Sequence, residues 1–276
     1  MSNIGYLGPK GTYSYRAAEI FSTSLKKIPY NTINEVLRSL ENNSSENIIV
    51  PLENSIHGSI AEVLDFLAKK NNFKIIKELE LEINHSIYKL KDQSEIIDVI
   101  FSHPQALGQC YEYISSNYPK AEVRHSNSTA NSLNDLINYG SNGAFIGPPW
   151  MKDEPGVLLI DKDIQSSKNN VTRFVVIGGY RLTNENNNFY KTSLVVSFDD
   201  DSPGSLLKVI EPFAEKGINM TKIESRPTKE KLGNYYFFID IEGHVDETKI
   251  QLSLNEIEEN VGVLKILGSY PRIMRN

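Results

Sequence analysis

Residues 48–67 read IIVPLENSIHGSIAEVLDFL, and the pattern changes halfway along this stretch. Residues 48–52 form a short apolar run, which is typical of a buried β-strand. The run breaks at residues 53–55, and apolar residues then recur at helical spacing at Ile60, Val63, Leu64 and Leu67. A strand, a polar loop and an amphipathic helix in succession predict an α/β domain.

The same alternation continues through the first two thirds of the chain. Further apolar strands are predicted at residues 3–7, 99–101, 122–124, 144–146 and 171–177, and residues 73–88 are rich in strand formers. Helices are expected from Ser14, from an N-cap at Asn34, from Pro104 and over residues 127–139.

A second pattern follows an Asn-rich, unpatterned stretch at residues 183–188, which is typical of a linker. Strands are predicted at residues 192–198, 218–225, 235–241 and 263–267, and helices over 204–216 and 248–260. This order, βαββαβ, predicts a ferredoxin-like domain.

Composition narrows the class of protein. The 276 residues carry a net charge of −6, so a basic surface for nucleic acid is not expected. The single cysteine, Cys110, excludes an internal disulfide and is expected to be a buried thiol. The N-terminus lacks the pattern of a signal peptide, and no apolar run approaches the roughly 20 residues of a membrane helix. We expect a cytoplasmic protein with no membrane or nucleic-acid partner.

Four loops of the first domain share one property, since each follows a strand, precedes a helix and is rich in small polar residues. They lie at residues 8–12, 53–55, 102–104 and 127–129. Ligands of open α/β sheets bind at the carboxyl ends of strands, and free N–H groups at helix starts attract anions. Each loop alone is typical of helix capping, but the four together indicate one cleft for a small anion.

Residues 170–174 read NVTRF and place Thr172 beside Arg173 in an otherwise apolar strand. Side chains alternate along a strand, so the two cannot face the same core. Arg173 either binds a ligand carboxylate in bidentate fashion or pairs with a local acid at the strand edge. Both interpretations stay open at this point.

Motifs for metal or nucleotide chemistry are not found in the sequence. The five histidines, His57, His85, His103, His125 and His244, lack the close pairing of metal ligands. The patterns G-x-S-x-G, G-x-G-x-x-G and the P-loop do not occur. We expect no metal and no cofactor.

Five motifs in the first domain together resemble the prephenate dehydratases. They are GPKGTYS at residues 8–14, PLENSIHG at 51–58, SHPQALGQC at 102–110, STA at 128–130 and NVTRF at 170–174. In the second domain, GSLL at 204–207, INMTKIESRP at 218–227 and YFFIDIEGH at 236–244 resemble an ACT domain of the type fused to these enzymes. The resemblance covers nearly the whole chain.

The resemblance implies an α/β fold with a two-lobed catalytic domain like that of type II periplasmic binding proteins, followed by the ferredoxin-like ACT domain. The catalytic domain is expected at residues 1–180, with one lobe at about 1–80 and 160–180 and the other at about 81–159. A linker is expected at 181–190 and the ACT domain at 191–276.

The implied reaction converts prephenate to phenylpyruvate with loss of carbon dioxide and water. The resemblance points to Thr172 as the donor to the departing hydroxyl, with Glu53 as a rival general acid that alternatively orients Asn54. The expected catalytic residues are Thr172, Glu53, Asn54 and Gln109. The expected substrate-binding residues are Thr12, Ser55, Ser102, Ser128, Thr129, Ala130, Asn170, Arg173 and Phe174.

The implied effector is L-phenylalanine, which would bind between two ACT domains and bias the catalytic cleft through differential affinity. At least a dimer is therefore expected, as dimer or tetramer. The expected effector-binding residues are Gly204, Ser205, Leu206, Leu207, Asn219, Met220, Glu224, Ser225, Arg226 and Pro227.

One stretch departs from the family pattern. Residues 147–150 read GPPW where the family has a run of Ala and other small residues. Two prolines and a Trp at this point are expected to reshape one wall of the second lobe.

Three alternatives remain open. The substrate is either prephenate or its amino-acid analogue arogenate, which would make the chain an arogenate dehydratase. A non-catalytic protein that binds small anions would also use a two-lobed cleft, although the fused ACT domain argues against it. A regulatory subunit with an inactive first domain is disfavoured by the intact Thr172-Arg173-Phe174.

Overall fold

The computed structural model describes residues 2–140, 142–179, 189–199, 202–229 and 233–273. Most of the expected linker, residues 181–188, lies outside the described residues. The chain divides into two compact units. The first comprises Met1–Ser45, Ile49–Ser59 and Glu80–Phe174, and the second comprises Glu46–Ile48, Ile60–Leu79 and Val175–Asn276. The domain and lobe boundaries expected from the sequence stay a prediction.

The elements alternate as expected along the first two thirds of the chain. Up to residue 102 they are β1 (Asn3–Leu7), α1 (Tyr13–Phe21), β2 (Lys26–Tyr30), α2 (Ile33–Glu41), β3 (Asn47–Asn54), β4 (Gly58–Ser59), α3 (Ala61–Lys69), β5 (Lys74–Glu82), β6 (Ser86–Leu90) and β7 (Val99–Ser102). From residue 104 they are α4 (Pro104–Gln109), α5 (Tyr111–Asn117), β8 (Glu122–His125), α6 (Ser132–Tyr139), β9 (Gly143–Gly147), a 3₁₀ turn (Pro149–Asp153), β10 (Val157–Asp161) and β11 (Val171–Gly178).

Two sheets organise these strands. In one, the order runs β5-β11-β3-β1-β2, with the short β4 paired to β3. In the other, the order is β10-β6-β9-β7-β8. Strand β7 runs parallel to β8 and β9, while β6 runs antiparallel to β9 and β10. Mixed sheets flanked by helices confirm the α/β class.

Side-chain caps set the first turns of two helices. Thr12 accepts a hydrogen bond from the backbone N–H of Tyr15 at the start of α1. Helix α2 begins at Ile33 with Thr32 as its N-cap, so the predicted cap at Asn34 was wrong. Thr32 is favoured as the N-cap because its hydroxyl accepts a hydrogen bond from the backbone N–H of Glu35 at 3.1 Å.

The helix expected over residues 127–139 is shorter, because α6 begins only at Ser132. Ser128 Oγ accepts a hydrogen bond from the N–H of Asn131 at 3.0 Å. Ser side chains that bond nearby backbone groups favour turns over helix interiors. Residues 127–131 therefore stay outside the helix.

Three strands, namely β2, β10 and the two-residue β4, were not predicted. Strands β2 and β10 each lie at the edge of a sheet. Strand β2 reads KKIPY and contains Pro29, which edge strands tolerate. In β10, Leu158 and Leu159 are both exposed, at 43% and 40%, so the strand lacks a buried alternating face.

The second unit contains the predicted βαββαβ motif. Its elements are β12 (Tyr190–Ser197), α7 (Ser205–Glu215), β13 (Met220–Pro227), β14 (Tyr235–Glu242), α8 (Thr248–Glu258) and β15 (Val263–Ile273). The strand order β13-β14-β12-β15 is that of a ferredoxin-like sheet, and both helices pack on one face over Leu194, Phe213, Ile239 and Ile257. The ferredoxin-like prediction is confirmed.

The second unit also includes α3 and most of β5, which the sequence placed in the catalytic domain. Strand β15 pairs in parallel with β5 through Arg272 opposite Glu78. Lys191 Nζ lies 2.7 Å from Glu78 Oε1, and both side chains are almost fully buried. Lys265 donates hydrogen bonds to the carbonyls of Leu67, Ala68 and Lys70, so it satisfies the C-terminal end of α3.

Cys110 lies between α4 and α5 and is fully buried among Ile87, Ile100, Leu107 and Ile114. Burial raises the pKa of its thiol to about 12. The expected buried thiol is confirmed. Within the described part of the chain, no helix has the length and apolar character needed to cross a bilayer.

We expect Cys110 in the native protein not to react with a disulfide reagent at pH 8, because the thiolate is the nucleophile and this thiol stays protonated and inaccessible. The readout is absorbance of the released thiolate. The control is the same protein in guanidinium chloride, where one thiol per chain should react, since the chain has one cysteine. Native reaction at the rate of the unfolded chain would contradict the burial.

Candidate active site

A cavity of about 320 Å³ lies in the first unit. All four polar loops singled out in the sequence contribute to it, together with the start of β11. Eight of the predicted site residues line this cavity, namely Thr12, Asn54, Gln109, Ser128, Thr129, Asn170, Thr172 and Phe174. We call it the polar cavity.

Thr172 lies near the start of β11 and is only 8% exposed. Its Oγ1 accepts a hydrogen bond from Asn54 Nδ2 at 2.9 Å. Within the described residues, no acceptor takes the hydroxyl hydrogen of Thr172. The hydroxyl is therefore available as a donor to a ligand in the polar cavity.

The orientation of the Asn54 amide is fixed by the backbone. Its Oδ1 accepts from the N–H groups of Ile56 and His57 at 3.0 and 3.1 Å. Backbone N–H groups only donate, so the oxygen must lie on this side. The Nδ2 then donates to Asn170 Oδ1 at 2.7 Å and to Thr172 Oγ1.

The orientation of Asn54 determines the orientations of two further side-chain amides, those of Asn170 and Gln109. Because Asn170 Oδ1 faces Asn54, the Asn170 Nδ2 faces Gln109 Oε1 and donates to it at 2.9 Å. Gln109 Oε1 also lies 2.9 Å from His85 Nε2. The Nε2 amide group of Gln109, like the Thr172 hydroxyl, has no acceptor among the described residues. Two donors are thus left for a ligand in one cavity.

Five predicted site residues do not line the polar cavity. Ser102 Oγ donates to Ile146 O at 2.7 Å and is fully buried. Ser55 joins the end of β3 to the start of β11, because its Oγ donates to Asn169 O and accepts from Val171 N. The others are Glu53, Ala130 and Arg173.

Arg173 and Glu53 contact each other, with 3.5 Å between Arg173 Nη1 and Glu53 Oε2. The Arg173 side chain is 8% exposed and that of Glu53 is 35% exposed. Of the two interpretations left open by the sequence, this contact supports pairing of Arg173 with a local acid.

Several lining residues were not predicted, namely Tyr13, His85, His103 and Gln105. Tyr13 donates from its hydroxyl to Asn84 O and accepts from Asn84 N at 2.8 Å, and burial raises its pKa well above the usual range. Burial and the neighbouring His125 lower the pKa of His103. Tyr13, His103 and Gln105 lie inside quoted motifs, whereas His85 lies in none.

Trp150 explains what the GPPW departure does. Its indole Nε1 donates to Gly11 O at 2.8 Å, and its ring lies edge-on to Tyr13 with 4.8 Å between ring centroids. Trp150 itself is not in the lining of the polar cavity. It supports the loop that carries Thr12 and Tyr13, and both of these residues line the polar cavity.

The predicted effector residues occupy different faces of β13. Glu224 and Arg226 pair with Phe238 and Tyr236 of β14, while Ser225 and Pro227 alternate to the opposite face. Arg226 Nε lies 3.4 Å from Asp65 Oδ1 on α3. Gly204 is the N-cap of α7, Ser205 is buried, and Leu207 is 55% exposed. Asn219 is exposed, and Met220 and Leu206 are half-buried.

A larger cavity of about 570 Å³ lies in the second unit, between α8 and β15. It contains none of the predicted site residues. Its lining includes Lys74 and Lys265, and burial together with the charge of Lys74 lowers the pKa of Lys265 to about 8. The Lys265 ammonium already donates to three carbonyls, so this cavity offers less for a ligand than the polar cavity.

Metal ligation is not indicated by the arrangement of side chains. Across the residues that the structure describes, His, Cys, Asp and Glu form no group of three or more that would hold an ion.

An α/β unit with a polar, donor-rich cavity, followed by a βαββαβ unit, defines a class of protein in which a small-molecule site and a ferredoxin-like domain share one chain. The family model described as prephenate dehydratase matches residues 4–181, and the ACT domain model matches residues 192–259. The chain belongs to the prephenate dehydratase family and carries an ACT domain.

Relatives cover nearly the full chain. A prephenate dehydratase from Methanocaldococcus jannaschii is 37% identical over 272 residues, which are 96% of this chain and 97% of the relative. A bifunctional chorismate mutase/prephenate dehydratase from Aquifex aeolicus is 35% identical over 98% of this chain and 74% of the relative. The crystal structure of prephenate dehydratase from Arthrobacter aurescens in complex with L-Phe superimposes with a TM-score of 0.86 at 29% identity, covering 98% of this chain and 90% of that one.

We expect Trp150→Phe to lower the free energy of unfolding by about 1 kcal/mol, because it removes the hydrogen bond to Gly11 O and keeps the ring. Trp150→Leu should lower it by about 1 kcal/mol more, because the contact with Tyr13 is also lost. Urea unfolding followed by circular dichroism measures both. A Phe variant as stable as the parent would show that the indole N–H does not hold the loop.

Proposed function

We propose that the chain is a prephenate dehydratase, a carbon–oxygen lyase that converts prephenate to phenylpyruvate and is inhibited by L-phenylalanine. The observation that carries the proposal is the polar cavity, where the Thr172 hydroxyl and the Gln109 amide group are both left as donors. Prephenate is proposed as the substrate because the chain belongs to the family and its relatives are named prephenate dehydratases.

The cavity suits a dicarboxylate. The first turn of α1 contributes Tyr13 and Ser14 to the lining, and helix N-termini favour anions. Ser128 and Thr129 add hydroxyl groups from the loop after β8. Phe174 is 2% exposed and supplies an apolar wall that limits water.

The reaction requires two bonds to break. The bond between the ring and its carboxylate releases carbon dioxide, and its electron pair enters the ring. The ring C–O bond breaks as the ring becomes aromatic, and the departing hydroxide leaves as water with a proton that comes ultimately from solvent. The aromatic product supplies the driving force, so the protein must hold the substrate and stabilise the leaving oxygen.

Thr172 takes the second task in this proposal. A Thr hydroxyl is a poor acid, so it contributes a positioned hydrogen bond to the departing oxygen in a site with little water. Asn54 accounts for the positioning, because its Nδ2 donates to Thr172 Oγ1 and turns the hydroxyl hydrogen away from itself. Gln109 provides the second donor.

Glu53 is assigned a supporting role. Its carboxylate contacts Arg173 and lies outside the polar cavity, so the contact holds β3 against β11 beside Asn54 and Thr172. Ser55 and Ser102 are likewise assigned to backbone support through their bonds to Asn169, Val171 and Ile146.

Regulation is proposed to use the ACT domain as part of a homo-oligomer. Leu207 at the start of α7 is 55% exposed and Ile223 on β13 is 46% exposed, and a second copy would cover such apolar side chains. The complex of the Arthrobacter relative with L-Phe supports phenylalanine as the effector.

The first experiment is turnover of the purified chain with prephenate, followed by absorbance of phenylpyruvate, with and without L-phenylalanine. We expect turnover that falls as phenylalanine is added. Turnover that ignores phenylalanine would remove the feedback proposal and keep the enzyme. Turnover of arogenate alone would make the chain an arogenate dehydratase, and failure with both substrates would leave an anion-binding protein.

We expect Thr172→Val to lower kcat about 100- to 1000-fold, since removal of one preorganised donor to a transition-state oxygen has this effect. Thr172→Ser keeps the hydroxyl and should stay within about tenfold of the parent on the same physical argument. Circular dichroism melting curves serve as the folding control. Full turnover by the Val variant would refute the role of Thr172.

A further inference from the structure

His85 is a buried residue that the proposed mechanism does not use. It directly precedes β6, lines the polar cavity and is only 4% exposed. Its backbone is held on both sides, because its N–H donates to Gln165 Oε1 at 2.9 Å and its carbonyl accepts from Ile164 N at 2.9 Å. The imidazole is therefore placed against the cavity by the chain itself.

The hydrogen on this imidazole is specified by the neighbouring amides. Backbone N–H groups fix Asn54, Asn54 fixes Asn170, and Asn170 presents its Nδ2 to Gln109 Oε1. Gln109 therefore turns its oxygen toward His85. An oxygen accepts only, so His85 Nε2 must be the donor across the 2.9 Å contact.

The surroundings of the second ring nitrogen, Nδ1, are consistent with hydrogen on Nε2. Burial lowers the pKa of His85, which favours the neutral ring. With hydrogen on Nε2, a neutral ring carries a lone pair on Nδ1. The Nδ1 atom is buried and, among the described residues, has no hydrogen-bond partner.

We propose that His85 is a positioning residue that holds the Gln109 carbonyl away from substrate, so that the Gln109 Nε2 amide group faces a substrate oxygen. The inference rests on the proposed function for the identity of that substrate. The physical reason is the near symmetry of a side-chain amide. If the Gln109 side-chain amide rotated by about 180°, its oxygen would face an anionic substrate. The hydrogen bonds that His85 and Asn170 donate to Gln109 Oε1 oppose that rotation.

Two variants of His85 distinguish the role of its Nε2 hydrogen-bond donor from that of its aromatic ring. His85→Phe keeps a planar ring and loses the N–H, whereas His85→Gln carries an amide nitrogen at a reach similar to that of Nε2. We expect His85→Phe to lower kcat/KM about 10- to 100-fold, the effect of losing one buried hydrogen bond. His85→Gln should restore most of it.

A double-mutant cycle tests whether His85 acts through Gln109. In a Gln109→Ala background, His85→Phe should lower kcat/KM less than about threefold, because the group it positions is gone. Equal losses in both backgrounds would show a structural role and overturn the proposal. A Gln variant no better than the Phe variant would overturn it as well.

Nitrogen NMR of the parent protein provides a test that needs no substrate, and a variant is used only to assign the His85 signal. A long-range ¹H–¹⁵N spectrum at neutral pH should show His85 with hydrogen on Nε2, assigned by the loss of its signal in His85→Gln. Hydrogen on Nδ1 would overturn the proposal. Absence of prephenate turnover by the parent chain would instead refute the proposed function, so the two failures are distinguishable.

Discussion

The side-chain amide of Asn54 has one allowed orientation, and the polar cavity depends on it. Two backbone N–H groups hold its oxygen, so its nitrogen must face β11. From there the direction of donation is settled at Thr172, Asn170 and Gln109 without any contact to a ligand. A site arranged in this way does not need to reorganise when substrate arrives, which is how preorganised dipoles act in catalysis.

Much of the fold follows from the sequence, because the change from strand to helical spacing at residues 48–67 is repeated along the chain. The failures have local causes. Strands β2 and β10 lack the alternating apolar pattern of a strand, because β2 contains Pro29 and β10 exposes both Leu158 and Leu159. Their pairing depends on strands that lie far away in the sequence. The cap at Thr32 was missed because Thr32 and Asn34 are both good capping residues, and only the three-dimensional bond to Glu35 distinguishes them.

The site was predictable as a set of loops but not atom by atom. Thr172, Asn54 and Gln109 lie in motifs and line the cavity together. Arg173 and Ser102 lie in the same motifs, yet their side chains point to Glu53 and to a backbone carbonyl. Strand alternation permits either direction and tertiary packing chooses one. His85 was missed for the related reason that it acts through a neighbour, and the particular contacts of Trp150 with Gly11 and Tyr13 likewise depend on tertiary packing.

The buried pair of Glu78 and Lys191 has a consequence for biosynthesis. The two residues are 113 positions apart, and a ribosome adds about 5–20 residues per second, so Glu78 is made roughly 6 to 23 s before its ammonium partner. A carboxylate without its partner is costly to bury, so we expect β5 to stay hydrated through that interval. The nascent chain therefore cannot complete its second unit until translation has passed the ACT strands, and a chain released in the linker would lack the charge that Glu78 requires.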